Sequence, residues 1–582
     1  MTESLLNRLR MVVIAMGLVA GLAISQLVRI QFGGQVAYFG ELGATVQKQE
    51  VRILSTRGRI FDAGGELLAT NDTVYEVGLD TKTIADVGNI EELAVAVASY
   101  VGLTPEEIVE RYRSAVSEQR PLAYVVLNRS LPQEAGRALQ RAYDDPDTPD
   151  MRGVLFTPLY ARKYPSGGVA AQLLGFVAEE QSKGRPAGYY GVEAFYDDLL
   201  AGTFTTGLRP IVPFDVELDT PPRNGVDLVL TIDREVQADV ERAMADAMVA
   251  SGAPSGTILA MNPQTGEILG MTSWPTYDPN KYLDFPEAAH ANPAVSAQYE
   301  PGSVFKVLTM AAALDAGIVT PNTPFLDTGA IEVGGARIHN WDGGAWGPQD
   351  MLGCMQHSLN VCLAAVATWM GPGIFYNYMA AFGIGHITNV DMASEAPGTL
   401  KRPGDENWYD SDLGTNAFGQ GVAVTPVQLL TAISAVANRG AMMQPHVLHA
   451  VVDSGQIHTF QPTVLGRPIR PETAATLSDM LATSLEKEAS SALVPGYRAA
   501  GKTGTAEVPV PGGYDSSATI ASFVGWLPVD DPQLLILVKI DRPTSAPWGS
   551  VVAAPVFSKL AQRLVVLLQI PPDAVRLGLA GR

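Results

Sequence analysis

From Met11 to Val28 the chain carries no charged residue, and this run limits what its N-terminus can fold into. At ~1.5 Å per residue, a helix over these positions covers ~27 Å, close to the ~30 Å of a bilayer's hydrocarbon core. Arg8 and Arg10 precede the run and Arg29 follows it. Two leading arginines favour an N-terminus kept in the cytoplasm, and Arg29 weakens that asymmetry. The spacing therefore predicts a single membrane anchor over 11–28 behind a cytoplasmic tail of residues 1–10. The rival is a cleaved signal peptide, since Ala23-Ile24-Ser25 has the small-x-small form of a cleavage site. Both readings put everything after residue 30 outside the cytoplasm.

A formal net charge of −21 over 582 residues gives no basic footprint for a phosphate backbone, which argues against nucleic acid as a partner. The length allows two or three domains. The seven histidines form no HExxH or Cys/His cluster, and the HxxH of His446 and His449 is weak. No metal and no cofactor is expected. With only Cys354 and Cys362, no disulfide framework is expected either.

Beyond the anchor, residues 29–222 mix short strand-like runs, turns and a few helices. Thr104-Pro105-Glu106-Glu107 has the form of a capping box with proline at the first helical position. Arg57-Gly58-Arg59-Ile60-Phe61-Asp62 reads as a strand running into the Gly64-Gly65 turn. Pro221-Pro222 and Asn224-Gly225 punctuate the chain; then Val226–Ile232 reads as a strand, with Asp233 capping the helix after it. The main domain boundary is placed there. Apolar helices then alternate with strand-like segments through 223–582, with no internal repeat.

Three short motifs carry possible chemistry. In Glu300-Pro301-Gly302-Ser303-Val304-Phe305-Lys306, Pro-Gly breaks the preceding element and an apolar helix follows. Residues three apart share a helix face, so the Lys306 amine can reach the Ser303 hydroxyl. Burial would lower the lysine's pKa and make it a base for the serine. A second SxxK, Ser484 and Lys487, lies in a polar stretch read as a solvated surface helix. Ser358-Leu359-Asn360 interrupts two helix-like runs, which would set its hydroxyl and amide on a turn. Lys502-Thr503-Gly504-Thr505 precedes the strand pattern 520–526, consistent with an edge strand whose glycine admits a ligand and whose lysine and hydroxyls suit a carboxylate. Each motif alone is as well explained by chance or an ordinary turn. SxxK, SxN and KTG in this order are the set of the penicillin-recognising serine acyltransferases.

The chain resembles a class B penicillin-binding protein over nearly its whole length. Arg57–Asp62 with Leu67-Leu68-Ala69, Arg162-Lys163-Tyr164-Pro165 with Leu174-Gly175, and Gly191-Val192-Glu193 with Tyr196-Asp197 and Gly202 resemble the three boxes of that family's pedestal. Leu230–Asp233, Thr265–Ile268, Phe418–Gly421 with Thr425-Pro426, and Ala553-Ala554-Pro555 resemble boxes of its catalytic part. Two positions depart, Ala63 for a usual arginine and Gln172 for a usual histidine, which puts pedestal contacts in doubt. The resemblance implies an α+β multidomain protein: a transmembrane helix, a β-rich pedestal over 29–222, and a transpeptidase domain over 223–582 with an antiparallel sheet flanked by helices.

It also implies roles. Ser303 would attack a D-Ala–D-Ala carbonyl and Lys306 would take its proton. Ser358 and Asn360 would relay protons and orient substrate. Lys502, Thr503, Gly504 and Thr505 would bind the terminal carboxylate, with the Ser303 and Thr505 N–H groups as oxyanion hole. Substrates would be peptidoglycan stem peptides from lipid II-derived strands, and β-lactams would acylate the same serine. Tyr299–Ser303, Gly501–Glu507 and Ala521–Gly525 are closer to the cell-division type than to the elongation type. A polytopic glycosyltransferase of the shape, elongation, division and sporulation class is the implied partner. No glycosyltransferase domain is evident, so a monofunctional enzyme is expected. The rivals are a β-lactamase, a D,D-carboxypeptidase, and an inert divisome scaffold or β-lactam sensor. The cysteines flank the Ser358 turn; buried thiols are expected, a bridge requiring the two helices to fold together.

Overall fold

The computed structural model describes residues 3–32, 48–53, 55–117, 122–180, 182, 185–203, 205–210 and 223–580. Pro221-Pro222 lies outside them. The chain divides into two compact units, residues 1–56 with 202–225, and residues 57–201 with 226–582. In the first unit a helix runs over Glu3–Phe32, past both ends of the predicted anchor. Its apolar side chains between Met11 and Ile24 are exposed, Met11 at 66% and Leu22 at 66%. Strands Lys48–Ile53 and Thr205–Pro210 pair antiparallel in the same unit.

Among the described residues, the second unit holds two large sheets, of seven and five strands, and several two-stranded ones. The seven-stranded one contains β1 (Ile60–Phe61), β2 (Leu67–Asp80), β3 (Tyr124–Pro132), β4 (Val154–Lys163) and β5 (Asp227–Leu230). Strand β1 pairs antiparallel with β2 and parallel with β5, so this sheet runs straight across the sequence boundary drawn at 222. The Thr104 capping box is formed: the Glu107 N–H donates to Thr104 Oγ1, and Glu107 Oε2 accepts from the Thr104 N–H. The three pedestal boxes converge on one buried carboxylate. Arg57 donates to Glu193 at 2.8 Å and to Asp197 at 2.8 Å, and Arg162 donates to Glu193 at 2.6 Å. Burial pushes the Glu193 carboxyl up, but Arg162 and Arg57 outweigh it and hold it below the ordinary carboxylate range. Gln172, at one departing position, is buried and its amide donates to Pro275 O and Ala289 O. That links the pedestal sequence to the catalytic part.

The five-stranded antiparallel sheet is built from β6 (Ser255–Met261), β7 (Ile268–Trp274), β10 (Ala500–Val510), β11 (Gly513–Leu527) and β12 (Leu534–Asp541), in the order β7-β6-β12-β11-β10. Strands β8 (Leu448–Asp453) and β9 (Gln456–Thr459) belong to the seven-stranded sheet. The run Leu534–Ile540 is buried throughout, because β12 is central and covered on both faces. Helix α1 (Arg234–Ser251) is capped by Asp233 as predicted. Helix α2 (Lys306–Asp315) is buried from Lys306 to Ala313, which explains its apolar residues on every side. Helices α3 (Met351–Gln356) and α4 (Asn360–Ala381) leave the Ser358 turn between them. Helix α5 is Pro471–Glu488, α6 is Gly549–Val552, and α7 is Ala554–Leu567.

Two expectations are corrected. Cys354 and Cys362 form a disulfide, with Cα atoms 6.0 Å apart. The chain reverses between α3 and α4, so the 12 Å that one continuous helix would impose does not apply. The Ser484 helix is not wholly solvated: Ser484 is buried and its hydroxyl donates to Met480 O, while Lys487 is exposed.

The disulfide closes a short loop around Ser358. Loop closure of this length is worth about 2.5 kcal/mol against the unfolded chain. Cys354→Ala with Cys362→Ala is expected to lower unfolding stability by about that amount, read from denaturant midpoints. Midpoints that coincide would show the bridge contributes nothing.

Candidate active site

Ser303 lies in a 3₁₀ turn, Gly302–Phe305, that feeds α2. Gly302 has φ 55°, and a Cβ there would sit 3.0 Å from both Ala506 Cβ and Thr505 O. The turn is thereby pressed against β10, the edge strand of its sheet, which carries Lys502–Thr505. Gly504 is needed for the same contact, since a Cβ would lie 2.3 Å from Ser522 Oγ and 2.8 Å from Val304 Cγ2. The edge position predicted for the KTG strand is therefore the observed one. An edge strand leaves backbone donors without ladder partners, available to a ligand.

Ser358 holds a left-handed backbone, φ 57°, uncommon for serine, and this presents its side chain between two lysines. Lys306 Nζ donates to Ser358 O at 2.6 Å and to Asn360 Oδ1 at 2.7 Å, and lies 3.2 Å from Ser358 Oγ. Lys502 Nζ donates to Ser358 Oγ at 2.9 Å and to Thr503 O at 3.2 Å. Asn360 is oriented by its own amide donating to His339 O at 3.1 Å.

Lys306 is fully buried, and burial, then the nearby Lys502 charge, holds its amine well below the ordinary lysine range. Burial lowers Lys502 to about 7. A neutral Lys306 amine has two hydrogens and one lone pair. Ser358 O and Asn360 Oδ1 can only accept, so they take the hydrogens and leave the lone pair for a hydroxyl. Ser358 Oγ accepts from Lys502, so its own proton is left for another acceptor in the cleft. The arrangement sets the Ser358 hydroxyl between the two amines, with Lys306 three residues after Ser303.

Ser303, Ser358, Asn360, Lys502, Thr503 and Thr505 line one cleft of about 930 Å³. Lys306 lies beneath it. The second SxxK is not assembled: Ser484 touches the rim of the cleft, but its hydroxyl is committed to Met480 O and Lys487 faces solvent. Motif reading missed Trp341 and Trp548, which also line the cleft. Lone tryptophans in loops carry no sequence signal that separates a cleft wall from a surface.

A serine at a helix start, a buried amine beneath it and a lysine-bearing edge strand opposite define the class of SxxK serine acyltransferases. A family model for the penicillin binding protein transpeptidase domain matches residues 256–562, and one for the penicillin-binding protein dimerisation domain matches residues 52–207. The chain is 32% identical to Stage V sporulation protein D of Bacillus subtilis (strain 168), over 89% of this chain and 79% of that one. It is 27% identical to peptidoglycan D,D-transpeptidase FtsI of Escherichia coli (strain K12), over 90% and 86%. Among solved structures, penicillin binding protein 2X from Streptococcus thermophilus shares the fold with a TM-score of 0.74 at 23% identity, covering 89% of this chain and 80% of that one. The chain belongs to the class B penicillin-binding protein family.

Proposed function

We infer that this protein is a D,D-transpeptidase that cross-links peptidoglycan stem peptides through a Ser303 acyl-enzyme. The buried Lys306, with its hydrogens committed to Ser358 O and Asn360 Oδ1, is the observation that carries the reading. Lys306 takes the Ser303 proton as Oγ adds to the penultimate D-Ala carbonyl. Backbone N–H groups of Ser303 and Thr505 hold the oxyanion. The C–N bond breaks, the leaving D-Ala amine takes a proton through Ser358, and the acyl ester remains on Ser303. A second peptide's amine then attacks the ester and returns the proton to Ser303. Lys502, Thr503 and Thr505 hold the terminal carboxylate of the donor. A β-lactam follows the first half of this path, its ring amide opening onto Ser303.

A role in septal wall synthesis is the one proposed, consistent with relatives named FtsI and Stage V sporulation protein D. A polytopic glycosyltransferase of the shape, elongation, division and sporulation class is the proposed partner. The N-terminal helix is proposed as a single anchor with its N-terminus in the cytoplasm, and residues 29–222 and 223–582 as pedestal and catalytic domains. Cells depleted of the protein are expected to filament; rounding without filaments would favour the elongation role.

The test of the reaction is product analysis with a D-Ala–D-Ala donor, with and without an acceptor amine. Transfer to the amine outpacing hydrolysis is expected. Hydrolysis alone would indicate a carboxypeptidase, and fast turnover of a chromogenic β-lactam a β-lactamase.

The lysines set a pH profile. Acylation is lost as pH falls through the Lys306 pKa, because the base is protonated. Donor binding weakens as pH rises through about 7, where Lys502 loses its charge. A bell-shaped kcat/KM is therefore expected, and Lys502→Arg should remove the alkaline limb, since arginine does not deprotonate. An alkaline limb that survives in Lys502→Arg assigns it to another group.

A further inference from the structure

Two tryptophans stand at the mouth of the cleft with large faces uncovered, Trp341 at 53% exposure and Trp548 at 42%. They meet edge to face, ring centroids 5.5 Å apart and planes at 70°. Each is fastened to a different wall of the site. The Trp341 indole N–H donates to the carbonyl of His357, the residue before Ser358, at 3.2 Å. Trp548 is the N-cap of α6, and the next residue, Gly549, donates its N–H to Thr505 Oγ1 at 3.2 Å. The aromatic contact therefore bridges the Ser358 wall and the Lys502–Thr505 wall over the cleft.

The backbone beside the two rings is packed differently. A Cβ at Gly549 would lie 2.3 Å from both Gly504 O and Ser522 O, so the backbone beside Trp548 is wedged into the sheet. Two residues after Trp341 the chain turns through Gly343, φ 69°, with open space around it. Parting the pair breaks the aromatic contact, and displacing Trp341 also breaks its bond to His357 O.

We propose that Trp341 and Trp548 form an aromatic gate that selects acyl donors by the bulk of the group on the acyl side of the attacked carbonyl. The proposal rests on the acyl-transfer function argued above. Donors with a small acyl side pass beneath the closed pair. Donors with a bulky acylamino chain must part it, and their acylation carries the cost of the broken contact.

The test measures second-order acylation constants of the full chain with two probes, 6-aminopenicillanic acid and a penicillin with a naphthoyl-type side chain. Trp548→Ala is expected to raise the bulky-to-small rate ratio about two- to tenfold, the weight of one such aromatic contact. Trp341→Phe keeps a ring but loses the indole N–H, so a smaller rise is expected. The Trp341→Ala/Trp548→Ala double variant should rise no further than the larger single, because the contact is broken once. An unchanged ratio, or a lower one, overturns the gate; a lower one would make the pair a platform that binds bulky donors. If neither probe acylates the wild type at Ser303, the acyl-transfer reading falls and the gate with it. A ratio of rates does not move with a general loss of folded protein, so a merely structural defect does not mimic the expected result.

Discussion

Ser303→Ala is expected to abolish penicillin labelling and to lower D,D-transpeptidation by at least about 10⁴-fold, while Ser484→Ala keeps both. The magnitude follows from removing a nucleophile whose partners act as a unit and have no substitute. Ser303 is partly exposed at the start of α2, and a methyl in place of the hydroxyl asks nothing new of the packing. The variant should therefore fold normally, and the loss should be chemical. Ser484 has the same SxxK spacing but spends its hydroxyl on Met480 O and has no buried amine beneath it. A Ser303→Ala protein that still accepts penicillin, or equal losses in both variants, would remove Ser303 from the chemistry.

Lys306→Met is expected to lower acylation by about 10³- to 10⁴-fold, the upper range for loss of a positioned base. Methionine fills a similar volume in the buried helix and removes the cost of an amine in an apolar surround. Against this, Ser358 O and Asn360 Oδ1 each lose a donor, at about 1–3 kcal/mol if left unsatisfied. The two effects oppose each other, so the activity loss should far exceed any change in stability. Lys306→Arg should not rescue, because a guanidinium cannot present a lone pair to Ser303. Measured acylation within tenfold of wild type in Lys306→Met would show that another group serves as base.

Much of this was legible in the sequence because the motifs carry their own structural consequences. Pro-Gly before Ser303 announces a break and a helix start, and Lys306 three residues on must share its face. The glycine in Lys502-Thr503-Gly504-Thr505 marks close backbone approach, and the structure shows what approaches: Ser522 and the turn after Pro301. Capping at Thr104 and Asp233 followed from side chains that act within four residues. What was not legible depends on contacts distant in sequence. The disulfide needed α3 and α4 to fold back on each other at Ser358, and local helix periodicity says nothing about that reversal. Glu193 read as one residue of a box, yet its burial between Arg57 and Arg162 gathers three separated segments around one charge. Trp341 and Trp548 are 207 positions apart by number, 548 less 341, and only the fold sets them face to edge.

Peptide mapping by mass spectrometry of the full chain treated with benzylpenicillin tests the central claim most directly. One penicilloyl adduct per chain is predicted, on the peptide that contains Ser303. No adduct, or an adduct carried by any other residue, Ser484 included, would contradict the account of how this protein works.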